Sequence, residues 1–384
     1  MGRVSFGQER EQWGRKRAPG EFAQALLACT ASHAQDIPVA SIQSVTGAVA
    51  FAGAHYQKAI RLAVDEFNQQ GGVAGQKINL IEHDNASDKG QAINLANQAI
   101  DRDRALLVLG PTTTADTLAV APLFNEKRVP FIGFAGSDAI LRAGPWSLKF
   151  RQGTDVDGPQ LARYVLEKTP SRKLALVFDR SNEALIEFKN VFRDAFKAGG
   201  GSVVTEEAVV SGDSNFLPLA TKLKSMDVDA VYLTSYAEQS ANIVRQLRQA
   251  GLPEKVRIIG SLAIVSPKFL SIAGKAAEGV IAVSDYVPGM ERPLNKAFDA
   301  AWQARYKTEP DSYAATGYSL AKVALAALEE AGPDPTREKV REAYMRLKEV
   351  PVVVGNGVWS HTDRHPRYGA LVLTVRDGKF AIAP

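Results

Sequence analysis

Two hydrophobic periods alternate along most of the chain. From residue 37 onward, short apolar runs of strand length are followed by longer stretches whose apolar positions recur every three to four residues, as on a helix with one buried face. The runs at 37–42, 77–82, 106–109 and 129–134 predict strands. Between them, 55–69 carries a stripe of Ala59, Ile60, Ala63, Val64 and Phe67, 88–100 one of Ile93, Ala96, Ala99 and Ile100, and 115–125 a third helical segment. Gly71-Gly72 stops the first helix, since glycine takes the left-handed conformation at a helix end without steric cost. Asp88 caps the second, and Pro122 is expected to kink or shorten the third. After Arg151 the rhythm starts again, with strands at 173–178, 202–206, 230–234, 256–260 and 279–284 and helices at 183–197, 217–225 and 236–250. Strand–helix alternation of this kind implies parallel sheets with helices on both faces, and its recurrence implies two α/β lobes in tandem.

The end of the chain breaks the pattern. Helical stripes at 291–306, 312–331 and 336–347 follow one another with short loops, then short strands at 358–359 and 370–375, with Asp377-Gly378 as a hairpin turn. These pieces pack on lobes already built, so the chain crosses between lobes more than once.

The stretch 106–138 holds the candidate chemistry. Its turns, Gly110-Pro111-Thr112-Thr113-Thr114 and Ala135-Gly136-Ser137-Asp138, both follow the carboxyl end of a buried strand. Adjacent turns on that edge are where open α/β sheets bind ligands. Helix N-termini there offer free N–H groups to a carboxylate, although Thr112 and Ser137 also suit simple helix capping.

Composition narrows the function classes. Net charge is only +4 and no basic stripe is present, which excludes nucleic acid as the expected partner. No apolar run approaches the roughly 20 residues of a membrane span. A single cysteine, Cys29, excludes an internal disulfide framework and a Cys-cluster metal site, and neither a metal nor a cofactor is expected. Gly71-Gly72-Val73-Ala74-Gly75 follows a helix rather than a strand, so it is no dinucleotide fingerprint. Neither a Gly-x-Ser-x-Gly elbow nor a phosphate loop occurs. No catalytic residues and no enzyme activity are expected. Residues 1–36 stand apart: Arg15-Lys16-Arg17, a short apolar 22–30 and Ser32-His33-Ala34 follow the order of a secretory signal, interrupted by Glu21 and Gln24. Leu26-Leu27-Ala28-Cys29 alternatively fits a lipoprotein site with Cys29 lipidated. A start placed too far upstream and a disordered tail are further readings; export is the expectation.

Several segments in order resemble the leucine/isoleucine/valine-type periplasmic solute-binding proteins of ABC importers. They are Thr46-Gly47, Asp65 to Gly75, Asp84-Asn85-Ala86-Ser87-Asp88, Gly110 to Thr114, Val129-Pro130-Phe131-Ile132, Arg245 to Gly251 and Ala277-Glu278-Gly279. The resemblance implies the type I periplasmic binding protein fold, two doubly wound parallel-sheet lobes joined by three hinge crossings, placed near Arg151, Tyr286 and Trp359. The lobes would then comprise 37–151 plus 287–358, and 152–286 plus 359–384. It implies a monomer in the periplasm that closes on a small carboxylate and delivers it to a membrane permease. A ligand-sensing regulator of the same fold, responsive to an amide or an amino acid, is the alternative.

Carried over position by position, the resemblance places the ligand carboxylate against Thr113, Thr114, Ala135 and Ser137, with Phe51 and Tyr236 in the cleft. The second lobe departs from the family pattern. Glu183-Ala184 stands where a Tyr-Gly pair is usual, and Ser261-Leu262 where amino-acid binders place an acid for the ammonium. A desolvated ammonium needs a negative partner. Either Glu183 or Asp285 supplies it, or the ligand is an acid without an amine, packed by Phe51, Tyr236 and Tyr286.

Overall fold

Strand β1 (Ile37–Gln43) opens the first lobe, followed by α1 (Ala50–Gln69), β2 (Ile78–Asp84), α2 (Lys89–Asp101), β3 (Leu107–Leu109), α3 (Thr114–Glu126), β4 (Phe131–Gly133) and β5 (Ser147–Lys149). The computed structural model of the chain describes residues 36–384 apart from Asn182 and Ser211. The export signal and Cys29 therefore lie outside the described residues. The strands form a parallel sheet in the order β2-β1-β3-β4-β5. Neighbouring side chains along each strand point to opposite faces. Val39, Leu107, Leu109 and Ile132 thus pack on one side, Ala40, Ile42, Val108 and Phe131 on the other.

The second lobe runs α4 (Thr154–Lys168), β6 (Lys173–Asp179), α5 (Glu183–Ala198), β7 (Ser202–Val209), α6 (Leu217–Lys224), β8 (Ala230–Thr234), α7 (Ala237–Gln249), β9 (Arg257–Gly260), α8 (Pro267–Ala273) and β10 (Ile281–Ser284). The chain then returns to the first lobe with α9 (Pro293–Tyr306), α10 (Ser312–Ala331) and α11 (Arg337–Arg346), and with a small antiparallel sheet of β11 (Val350–Pro351), β12 (Val358–Thr362) and β13 (His365–Arg367). It ends as β14 (Leu371–Arg376) and β15 (Lys379–Ile382), which extend the second sheet antiparallel to give β15-β14-β10-β9-β8-β6-β7. The expected turn joins them, with Asp377 and Gly378 both at positive φ.

Three expectations change. The third crossing lies at 368–370, not at Trp359. Trp359 is buried in the first lobe's core with its indole N–H donated to the Phe150 carbonyl at 3.1 Å, and β12 and β13 pair with β11 rather than with the second sheet. Helix α1 begins at Ala50, which puts Phe51 in its first turn instead of in a loop. Helix α3 runs through Pro122 unshortened, because Pro122 is exposed and water can solvate the Leu118 carbonyl that loses its partner.

Replacing Trp359 by Ala is expected to cost about 3–5 kcal/mol in chemical denaturation, the range for a buried aromatic. A loss below about 1 kcal/mol would place Trp359 outside the first lobe's core.

Candidate functional site

The carboxyl ends of β1, β3 and β4 align, so the loops after them share one edge. Gly110 makes the turn after β3 feasible: its φ is +106°, and a Cβ there would lie 2.2 Å from the Ile42 carbonyl oxygen. Thr112 is buried and structural. Its hydroxyl donates to Gln43 Oε1 at 2.8 Å and accepts from the Ser44 N–H at 2.9 Å, tying the loop after β1 to the loop after β3. Thr113 caps α3, accepting from the Asp116 N–H at 3.0 Å. Thr114, the first helical residue, is half-buried. Ala135 is fully buried, so only its backbone is available to a ligand. Ser137 accepts from the Ala139 N–H at 3.2 Å, at the start of a short 3-10 turn.

An aromatic wall continues from there. Tyr56 stacks on Phe134 with ring centroids 3.7 Å apart and meets Tyr313 edge-on at 5.7 Å. Tyr313 in turn meets Phe51 at 5.8 Å. Phe51 is 60% exposed and lies 4.5 Å from the His55 ring, whose Nδ1 is 2.7 Å from an Asp311 carboxylate oxygen. From the second lobe, Tyr236 is 55% exposed and acts on the Tyr313 phenol. Burial pushes that phenol up, Arg151 opposes, and Asp311 and Tyr236 add to the rise. Ser261 is buried and accepts from the Ala263 N–H at 3.4 Å, while Leu262 packs on the second lobe's core. Glu183 opens α5.

Tyr286 stands apart from the other nine. It is 1% exposed, lies in the first lobe's core and donates its hydroxyl to Asp299. It borders a cavity of about 380 Å³ beside the second crossing, between Val265, Leu270 and Phe380 on one side and Pro310 and Asp311 on the other. A second cavity, about 270 Å³, flanks the first crossing and includes Ser137, Arg142, Thr154 and Glu187.

The floor between the lobes is polar. Arg151 lies 3.3 Å from Asp285, and Tyr368 donates its hydroxyl to the same carboxylate oxygen at 3.3 Å. Gln152 donates to Asp157 at 2.6 Å and to the Gly369 carbonyl at 2.9 Å, and accepts from the Tyr368 N–H at 3.1 Å. Burial pushes the Asp157 carboxyl up to about 8, with the Asp285 charge adding and Arg151 opposing. Burial raises Asp285 too, against Arg151 and Tyr368. Sequence reasoning did not single out Tyr56 and Tyr313, because helical stripes absorb aromatics as core. It placed a crossing near Arg151 without assigning its side chain a task. Among the described residues no cluster of three or more His, Cys, Asp or Glu could hold a metal ion.

A family model described as "Periplasmic binding protein" matches residues 36–379. The chain is similar to the Leu/Ile/Val-binding protein of Escherichia coli, 28% identical over 339 residues that cover 87% of this chain and 89% of that protein. It is similar to a Leu/Ile/Val-binding protein of Rhizobium johnstonii, 29% identical over 353 residues and covering 90% and 93%. Among solved structures it is similar to the branched-chain amino acid transporter substrate-binding protein LivJ of Streptococcus pneumoniae in complex with isoleucine. The identity there is 26% and the TM-score 0.78, with 90% of this chain and 97% of that one covered.

Asp157 gives a pH signature. Its carboxyl rises from an ordinary 3.8 to about 8 on folding, so the folded state holds the proton more tightly than the unfolded one. The associated stability is fully present below about pH 4 and is lost as pH rises through about 8. Asp157→Asn keeps the oxygen that accepts from Gln152 and cannot ionise. The wild type is therefore expected to lose more melting temperature between pH 6 and pH 9 than the variant; parallel profiles would contradict this.

Proposed function

This chain belongs to the periplasmic binding protein family, and from that premise we propose that it is the extracytoplasmic solute-binding component of an ABC importer. It works as a monomer, binds a small carboxylate between its lobes, and presents the closed form to a membrane permease. It performs no chemistry: ligand contacts on both lobes exist together only when the hinge is shut, so binding selects that state. The ligand carboxylate lies against Thr113, Thr114, the Ala135 backbone and Ser137, where hydroxyls and helix-end N–H groups satisfy an anion. Phe51, Tyr56, Tyr313 and Tyr236 cover the ligand's body. Ser261 and Leu262 border it on the second lobe, and Tyr286 stays held by Asp299 in the first lobe's core.

The observation that carries the ligand class is that Leu262 stands where an acid for the ammonium is expected and that Asp285 is already engaged. Leu262 is packed into an apolar cluster, and Asp285 is already held by Arg151 and Tyr368. An ammonium in the closed cleft would stay unpaired there, at a cost of several kcal/mol. The reading is therefore an aromatic or aliphatic acid without an amine, rather than a branched-chain amino acid.

Thermal-shift and calorimetric titrations with benzoate, aliphatic acids, leucine and valine decide between the two. Acids lacking an amine are expected to raise the melting temperature and the amino acids are not; the reverse result restores the amino-acid reading, with Glu183 as the ammonium partner. Thr114→Ala is expected to weaken the bound acid by about tenfold, the loss of one hydrogen bond to a charged group.

A further inference from the structure

Ser137 sits on a segment that the main core of the lobe does not pin. Ala135, Ile140 and Leu141 bury their side chains in a small cluster of their own, apart from the two clusters that sandwich the first sheet. The 3-10 turn Asp138–Ala143 that follows Ser137 closes with a long bond, the Gly144 N–H to the Leu141 carbonyl at 3.4 Å. Polar braces from other elements hold this segment. Buried Lys149 of β5 donates to one oxygen of Asp138, and His365 Nε2 lies 3.6 Å from the other. Arg364 makes the most contacts: its Nη1 donates to the carbonyls of Gly144 at 2.7 Å, Ser147 at 3.2 Å and Leu141 at 3.5 Å. One guanidinium nitrogen thus ties the end of the 3-10 turn to the first residue of β5, which is itself fixed in the sheet.

Arg364 reaches that place from an unfavourable backbone. Asp363 and Arg364 form the two-residue tip of the β12–β13 hairpin, between the paired Thr362 and His365, with φ of +46° and +65°. Glycine and asparagine adopt this left-handed conformation readily. An arginine there persists only where its surroundings hold it, and its mostly buried side chain is held by the three carbonyls.

We propose that Arg364 is a positioning residue for the bound acid. It holds the turn carrying Ala135 and Ser137 in place beside the turn carrying Thr113 and Thr114, without touching the ligand. This deepens the preceding reading and rests on it. Donors ordered in advance bind more tightly because the cost of ordering them is met before the ligand arrives. Releasing the 3-10 turn weakens the contacts of Ala135 and Ser137 and spares those of Thr113 and Thr114.

The test uses the full chain with Arg364→Met, which keeps the apolar stem and removes the donors, and Arg364→Lys, which restores a cationic nitrogen for the same carbonyls. Calorimetric titration with benzoate, or with the tightest-binding acid of the preceding panel, is expected to show a loss of about tenfold for Arg364→Met and a smaller loss for Arg364→Lys. In the ligand-free protein, Arg364→Met is expected to speed hydrogen exchange in residues 136–147 and to leave 110–125 unchanged. Coupling is the readout that a general structural role does not move. In a Ser137→Ala background the loss caused by Arg364→Met is expected to shrink, because the contact it positions is gone; in a Thr114→Ala background it is expected in full. Removal of a nearby positive charge, or destabilisation of the whole lobe, would act equally in both backgrounds. Equal losses in the two backgrounds, unchanged exchange in 136–147, or unchanged affinity in Arg364→Met each overturn the proposal and leave the carboxylate reading intact. If Arg364→Met does not fold, Arg364→Gln, which shortens the reach and keeps one amide donor group, takes its place in every comparison. Failure of every acid to bind removes the carboxylate reading and this inference with it.

Discussion

The chain passes between its lobes three times, and each passage contributes one polar group to a single buried contact. Arg151 comes from the first, Asp285 from the second and Tyr368 from the third. Taking a guanidinium and a carboxylate out of water costs several kcal/mol per ion, and their attraction repays it only where further hydrogen bonds complete the set. Tyr368 supplies one such bond, and Gln152 and Gly369 stitch the first passage to the third. The three passages join the lobes here, so any turning of one lobe against the other passes through this polar contact. In the same contact the Asp285 acid is already engaged.

Much of the proposed site is built from groups with other duties. Thr113 and Ser137 both cap helical turns, and Thr112 binds two loops together. A hydroxyl that already accepts a backbone N–H can still donate its proton to a carboxylate, so capping and ligand binding do not compete. The wall of Phe134, Tyr56, Tyr313 and Phe51 draws on the residue just after β4 and on the helices α1 and α10. Tyr56 and Phe134 belong to the first lobe's core. Phe51 and Tyr236, exposed on opposite lobes, are the surfaces that closure would cover.

Most of the architecture was legible in the sequence because period-two and period-3.6 patterns are set by the same burial that drives folding. The α/β class, the tandem lobes and the hairpin at Asp377-Gly378 follow from it. The third crossing was not legible. β12 and β13 are short and mostly polar, and an apolar Trp359 reads equally well as core of either lobe; only its bond to the Phe150 carbonyl assigns it. Pro122 does not shorten α3; sequence does not say which helix face meets water. Of the proposed site, the hydroxyl-bearing turns stand out by their spacing in the sequence, whereas Tyr56, Tyr313 and the hinge contact of Arg151 do not. An aromatic on a helical stripe looks like core, and a single arginine after a strand carries no pattern.

The central claim is that the lobes close on a ligand about this polar hinge, and small-angle X-ray scattering tests it most directly. Scattering from the protein with and without a saturating acid is predicted to show a smaller radius of gyration and a shorter maximum dimension in the bound state. A profile that does not change, at ligand concentrations where calorimetry shows the site to be full, would contradict closure as the mode of binding.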